Sequence, residues 1–181
     1  QWYRPANAVL AIAGRVDPSD VLDRCEEYFA GIPSGPPRPK PDVSEPPRTE
    51  TKTELLADPL ARLPALFLNH QADGYQSEDF AVWEVIESLF FVGPSSRLYR
   101  RMVVEQSVAV QIGGGYDCFR GPGVFGIHAF VPDVASIERA KTVYFDELKR
   151  LATEPIPERE LQKVSNQLRA ALVFGQQRAL S

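Results

Sequence analysis

The residues that could do chemistry are few in this sequence, and their spacing is poor for it. Only two histidines occur, His70 and His128. A helical zinc site needs ligands three or four residues apart on one face, and neither histidine has a histidine or glutamate at that distance. His70 falls at a predicted strand end and His128 inside an apolar strand, so each reads as a satisfied structural histidine. Cys25 and Cys118 are far apart and match no CxxC or zinc-ribbon spacing. Cys25 lies on the apolar stripe of a predicted helix and reads as a buried free thiol. A disulfide stays open, and with it the redox compartment. Gly113, Gly114 and Gly115 open no helix, so they make no phosphate cradle. Strand-end flexibility or a close backbone approach is the better reading. No Gly-x-Ser-x-Gly elbow, P-loop or dinucleotide fingerprint appears. Arg97, Arg100 and Arg101 share one predicted helix and read as a solvated face. The acidic residues are scattered, and no pair stands out as acid and base. We therefore assign no catalytic, cofactor-binding or metal-binding residue within the chain. It reads as a binding or scaffolding domain, or as part of a divided active site.

Composition agrees with an ordinary globular domain. The chain has 181 residues, 44% of them hydrophobic and 24% charged. At this length a chain buries roughly 70% of its unfolded surface and needs no metal or disulfide to hold a core. A net charge of −4 argues against a nucleic-acid groove or an anionic membrane as partner. No apolar run is long enough for a membrane span, and no basic-then-apolar leader opens the chain. Gln1 leads almost directly into a predicted strand, and Ser181 ends a helix without a cap. The chain is accordingly read as a fragment of something longer.

The elements that must position any site follow from periodicity. Residues 7–13 form a nearly continuous apolar run, the mark of a strand buried on both faces. Asp17-Pro18 then opens a helix with Val21, Leu22, Cys25, Tyr28 and Phe29 at helical spacing, ending near Gly31. Residues 32–47 carry seven prolines and read as a crossing loop within one domain. Residues 48–55 alternate threonine with charge, as a strand with one wet face does, and 63–70 read as a more buried strand. Ser77 is placed to cap a core helix running to about Val92, and Ser95 a short helix through Arg101. Residues 107–116 and 123–131 read as paired strands. Pro132-Asp133 opens a long helix, and Glu158 and Glu160 suit the positive end of the last one. Strand pairs interleaved with helix pairs predict an α+β layer: a mostly antiparallel sheet with helices packed on one face.

These residues also support a family comparison. The opening Tyr3-x-Pro5-x-Asn7, the apolar run, Gly14-x-Val16-Asp17-Pro18 and Tyr28-Phe29-x-Gly31-Ile32-Pro33 follow one another in order. Asp79 then opens the core helix, Gly93-x-Ser95-Ser96-Arg97-Leu98-Tyr99 begins the next, and Pro157-x-x-Glu160-Leu161 begins the last. Taken together, the order and spacing resemble the inactive C-terminal domain of pitrilysin/insulinase-family zinc peptidases across almost the whole chain.

The resemblance implies the fold of mitochondrial-processing-peptidase-like metallohydrolase domains, with residues 1–181 as one non-catalytic domain and its proline-rich crossing loop at 32–47. It implies a parent that hydrolyses peptides inside a chamber formed by related domains. Zinc would sit in the parent's catalytic domain, held by a His-x-x-Glu-His motif that this sequence lacks. The implied partners are that zinc domain, in the same chain or in a partner subunit, a peptide substrate in the shared chamber, and a second copy in a dimeric parent. The family suggests a bacterial, periplasmic setting, although the residues themselves leave the compartment open. Some members place an arginine and a tyrosine, seven residues apart, just after the Ser-Ser-Arg-Leu-Tyr segment, where they contact substrate. The matching positions here are Val103 and Val110, which cannot donate a hydrogen bond, so that role is not carried over. The alternative is a catalytically inactive family member that serves as partner subunit or scaffold.

Overall fold

The structure, a computed structural model, describes residues 3–36, 42, 44 and 46–175. The chain divides into two compact units, one of residues 1–42 with 171–181 and the other of residues 43–170.

In the first unit, helix α1 spans Pro18–Phe29. Asp17 accepts a hydrogen bond from the Ser19 N–H at 2.8 Å, and Pro18 supplies a preset φ at the first helical position. Residues 7–13 form no strand. Pro5–Asn7 make a single 3-10 turn, and the chain beyond it runs without ladder bonds. Val9 is 97% exposed. A strand exists only through a partner's backbone, and apolar content alone supplies none. Cys25 is a free thiol, half-buried rather than buried. The middle of the proline-rich crossing loop, residues 37–41 with 43 and 45, lies outside the described residues.

The second unit is built on a three-stranded antiparallel sheet of order β1-β3-β2, with β1 at Ala65–Ala72, β2 at Gln111–Asp117 and β3 at Gly123–Phe130. The predicted strand at 48–55 bends at Glu50 and joins no ladder; its alternation of threonine and charge reports solvation, not pairing. Helix α2 (Phe80–Phe91), the single turn α3 (Arg97–Tyr99) and helix α4 (Ala135–Thr153) pack against the strands. They cover the face that carries Leu66, Leu68, Ile112, Phe125, Ile127 and Ala129. Leu89, Phe90, Leu98, Met102 and Tyr144 are the large residues sealed between the layers. The α+β architecture with helices on one face thus stands. Among the described residues, no helix is long and apolar enough to cross a membrane.

Two helix starts differ from the sequence reading. Asp79, not Ser77, holds the N-cap position of α2, and the Ser77 hydroxyl oxygen accepts from the Asp79 N–H at 3.1 Å. Ser96 holds the N-cap of α3, while Ser95 faces the Lys163 ammonium at 3.3 Å. After α3 the chain widens into a π-helix, Arg100–Glu105, and returns through Ser107 at φ 50°. The wider turn keeps Met102 in the core while Arg101 reaches α4.

The three arginines are therefore not a solvated face. Arg97 makes a bidentate pair with Glu160 of helix α5 (Glu158–Gly175), at 2.9 and 2.6 Å. Their side chains are only 15% and 22% exposed. Arg101 donates to Glu147 at 2.6 Å, and Glu147 is fully buried. Arg150 donates to the same oxygen at 2.9 Å. Only Arg100, paired with Glu105 at 2.8 Å, is well exposed.

Candidate functional site

The face of the sheet away from the helices is built by register. Both outer strands pair with β3, so residues line up in rows of three across it. Successive side chains alternate between the faces, and four rows fall on the open side. They are Ala65, Phe130 and Gln111; Phe67, His128 and Gly113; Asn69, Gly126 and Gly115; and Gln71, Val124 and Asp117. The row of Asn69, Gly126 and Gly115 has glycine at two of its three positions, and a well of about 330 Å³ lies there.

Polar side chains lie flat over the places that the glycines leave vacant. A methyl group at Gly113 would meet the His128 ring at 2.5 Å, and one at Gly115 would meet the Glu87 Oε1 at 2.9 Å. One at Gly126 would overlap the Asn69 Oδ1. Glu87 comes from α2 and reaches around the free edge of β2, where its Oε2 accepts from the Tyr116 N–H at 3.3 Å. Burial pushes the Glu87 carboxyl up from its ordinary range; the Tyr116 N–H opposes this, and the neighbouring Glu84 and Asp117 charges add to it. Phe67 is 63% exposed, with its ring centroid 6.2 Å from that of His128.

A second feature runs along the free edge of β1. Between that edge, segment 47–56 and α4 lies a groove of about 1350 Å³. Its walls include Leu66, His70, Ile137 and Phe145, with Glu138 and Lys141 at the rim. The groove is crossed by a bond from the Arg48 N–H to the Gln71 Oε1 at 3.1 Å.

The structure separates the two histidines by the sheet itself. His128 stands on the open face and His70 on the covered one, because their register partners, Phe67 and Phe125, alternate. His70 stacks on Tyr144 with ring centroids 5.7 Å apart, and burial lowers its pKa. Its Nε2 is buried with no hydrogen-bond partner, so the expected satisfied histidine is only half correct. Among the described residues, no three His, Cys, Asp or Glu side chains come together as a metal site. The donors present do not fit the zinc of the resemblance, which that resemblance places in another domain. Gly113, Gly114 and Gly115 lie within β2 rather than at a strand end, but close backbone approach holds, with Phe91 packed 2.7 Å from where a Gly114 methyl would sit. Val103 lies in the π-helix, and Val110 is exposed just before β2, its N–H bonded to the Phe130 carbonyl at 2.8 Å. Sequence reasoning missed Glu87, Asn69 and Asp117. The signal was the glycine alternation at 113, 115 and 126, which gains meaning only once the strands are in register.

The family model of the peptidase M16 inactive domain matches residues 1–168. This chain belongs to that family. Its fold is similar to that of a protease from Helicobacter pylori, with a TM-score of 0.82 at 18% identity, over 91% of this chain and 40% of that one. It is also similar to a peptidase M16 inactive domain from Pseudomonas fluorescens (TM-score 0.61, 17% identity, 88% of this chain and 38% of that one). A chain of complex III2 from Candida albicans shares the fold over 66% of this chain and 31% of that one, with a TM-score of 0.54 and 18% identity. The chain thus spans two fifths or less of the length of these three proteins. A comparison with curated proteins found no match.

Proposed function

We propose that residues 1–181 act as the non-catalytic, chamber-forming domain of a zinc metalloendopeptidase, walling a space in which peptides are hydrolysed at a zinc site held by a catalytic domain. That domain lies in the same chain or in a partner subunit, and the parent assembles as a dimer. The observation that carries the reading is the one-sided sheet. Helices cover one face, and the other presents an exposed aromatic ring, a glycine-floored well and a half-buried carboxylate to whatever lies opposite. A domain that only filled space would cover this face or make it uniformly polar. Membership of the peptidase M16 inactive-domain family supports placing a catalytic domain opposite it. The metal would act there as a Lewis acid and water activator.

The test is the zinc content and peptide hydrolysis of the intact parent protein, with a chelated control. About one zinc per parent chain with chelator-sensitive hydrolysis is the expected result. A reproducible lack of zinc that added metal does not repair would overturn the peptidase reading. It would favour the alternative of an inactive partner or scaffold, for which the fold shared with a chain of a Candida albicans complex III2 is the supporting observation.

A further inference from the structure

We infer that the glycine-floored well on the open sheet face is a subsite for a basic side chain, lysine or arginine, of an extended peptide. The inference rests on the peptide-chamber reading above and gives one surface of that chamber a chemistry. Gly126 and Gly115 face each other in the register, and the Asn69 Oδ1 and Glu87 Oε1 lie over them, so the bottom of the well presents acceptor oxygens. At about 330 Å³ it lies at the small end of ligand sites, room for one long side chain rather than a whole ligand. A peptide lying extended over the sheet turns every second side chain downward, so one residue can enter while the main chain passes above.

The lining selects charge. Phe67 and Val124 offer apolar surface to an aliphatic stem, and the Phe67 ring face suits a cation. Glu87 and Asp117 stand at the β2 end, and among the described residues neither lysine nor arginine lines the well. The Glu87 Oε2 is engaged by the Tyr116 N–H, whereas its Oε1 lies over the floor at Gly115. Burial is the main cause of the upward push on the Glu87 carboxyl, and the nearby Glu84 and Asp117 charges add to it. A guanidinium or ammonium entering here meets the Glu87 and Asp117 carboxylates directly. A neutral or acidic side chain brings them no opposite charge.

The experiment measures fluorescence anisotropy of the intact parent protein, metal-loaded and chelator-inhibited, with paired peptides. Each pair consists of flexible dodecapeptides that carry one central arginine or its neutral isostere citrulline, within a degenerate set of flanking residues. The arginine peptides are expected to bind roughly tenfold tighter, the worth of one charge-assisted hydrogen bond. The double variant E87Q/D117N and, separately, G115A should shrink the discrimination to within about twofold of unity, the scale of a lost charge-assisted contact. Thermal melts of both variants confirm that they fold. Equal binding of arginine and citrulline peptides, or discrimination that survives in E87Q/D117N, overturns the subsite and leaves the chamber reading standing. No binding by any member of the set, with no hydrolysis by the uninhibited protein, overturns both.

Discussion

Replacing Glu147 with glutamine removes one charge from the least accessible ionic site of the fold. The carboxylate is fully buried and accepts from Arg101 at 2.6 Å and Arg150 at 2.9 Å through a single oxygen. Its other oxygen, Oε2, has no partner. Breaking a buried pair by removing one member costs about 3–5 kcal/mol, because the remaining charge is stranded. Arg101 is 23% exposed and Arg150 49%, so water reaches both and the expected loss falls to about 2–4 kcal/mol. In a chain of this size each kcal/mol moves the midpoint by roughly 2–4 °C, so the thermal midpoint of Glu147→Gln should drop by about 4–16 °C. The partner experiment replaces both charges, Arg101→Met with Glu147→Leu. Removing the whole pair also removes the orphaned Oε2 and the desolvation cost of two ions, so the double variant should lie within about 1 kcal/mol of the parent. A Glu147→Gln midpoint unchanged within a degree, or a double variant as unstable as the sum of its singles, would refute the reasoning.

Two further expectations concern the stacked pair beneath the sheet. Burial holds the His70 pKa below its ordinary 6.5, so the folded state keeps the ring neutral and the unfolded chain takes up the proton first. Its contribution is therefore fully present above pH 6.5 and lost as the pH falls below it. In His70→Phe, which keeps the stack on Tyr144, the fall in melting temperature from pH 7 to pH 5.5 should be shallower than in the parent. Equal slopes would remove His70 from the acid response. The Tyr144 hydroxyl is buried without a hydrogen-bond partner, so Tyr144→Phe should be neutral or stabilising by up to about 1 kcal/mol in urea unfolding. A clear loss of stability would mean that the hydroxyl is satisfied.

Much of the fold was legible because it is local. The helix at Pro18–Phe29 follows from Asp17, Pro18 and its 3.6-residue stripe, all within one segment. The long helix Ala135–Thr153 follows Asp133, whose carboxylate accepts from the Ser136 N–H at 2.8 Å. Strands β1, β2 and β3 overlap the apolar runs read at 63–70, 107–116 and 123–131. The same logic failed at residues 7–13 and 48–55. There the apolar run and the alternation were real, but a strand needs a partner's backbone, and composition does not name one.

Sequence alone determined the class of this protein: an α+β domain with the ordered motifs of a peptidase inactive domain and no local spacing suited to catalysis. Such spacing is a property of one segment, and so is capping. Tertiary structure alone decided which side chains meet. Glu87 and Gly115 are brought together only by α2 packing at the edge of β2, and Asn69 and Gly126 only by the register of β1 on β3. Arg97 and Glu160, 63 residues apart, look like two solvated surface charges in the sequence and form a bidentate pair in the fold. The reason is the range of the forces. Propensity and capping act within a turn or two of chain, whereas a charge pair or a glycine-floored well is set by the distance between segments that only the packed core fixes.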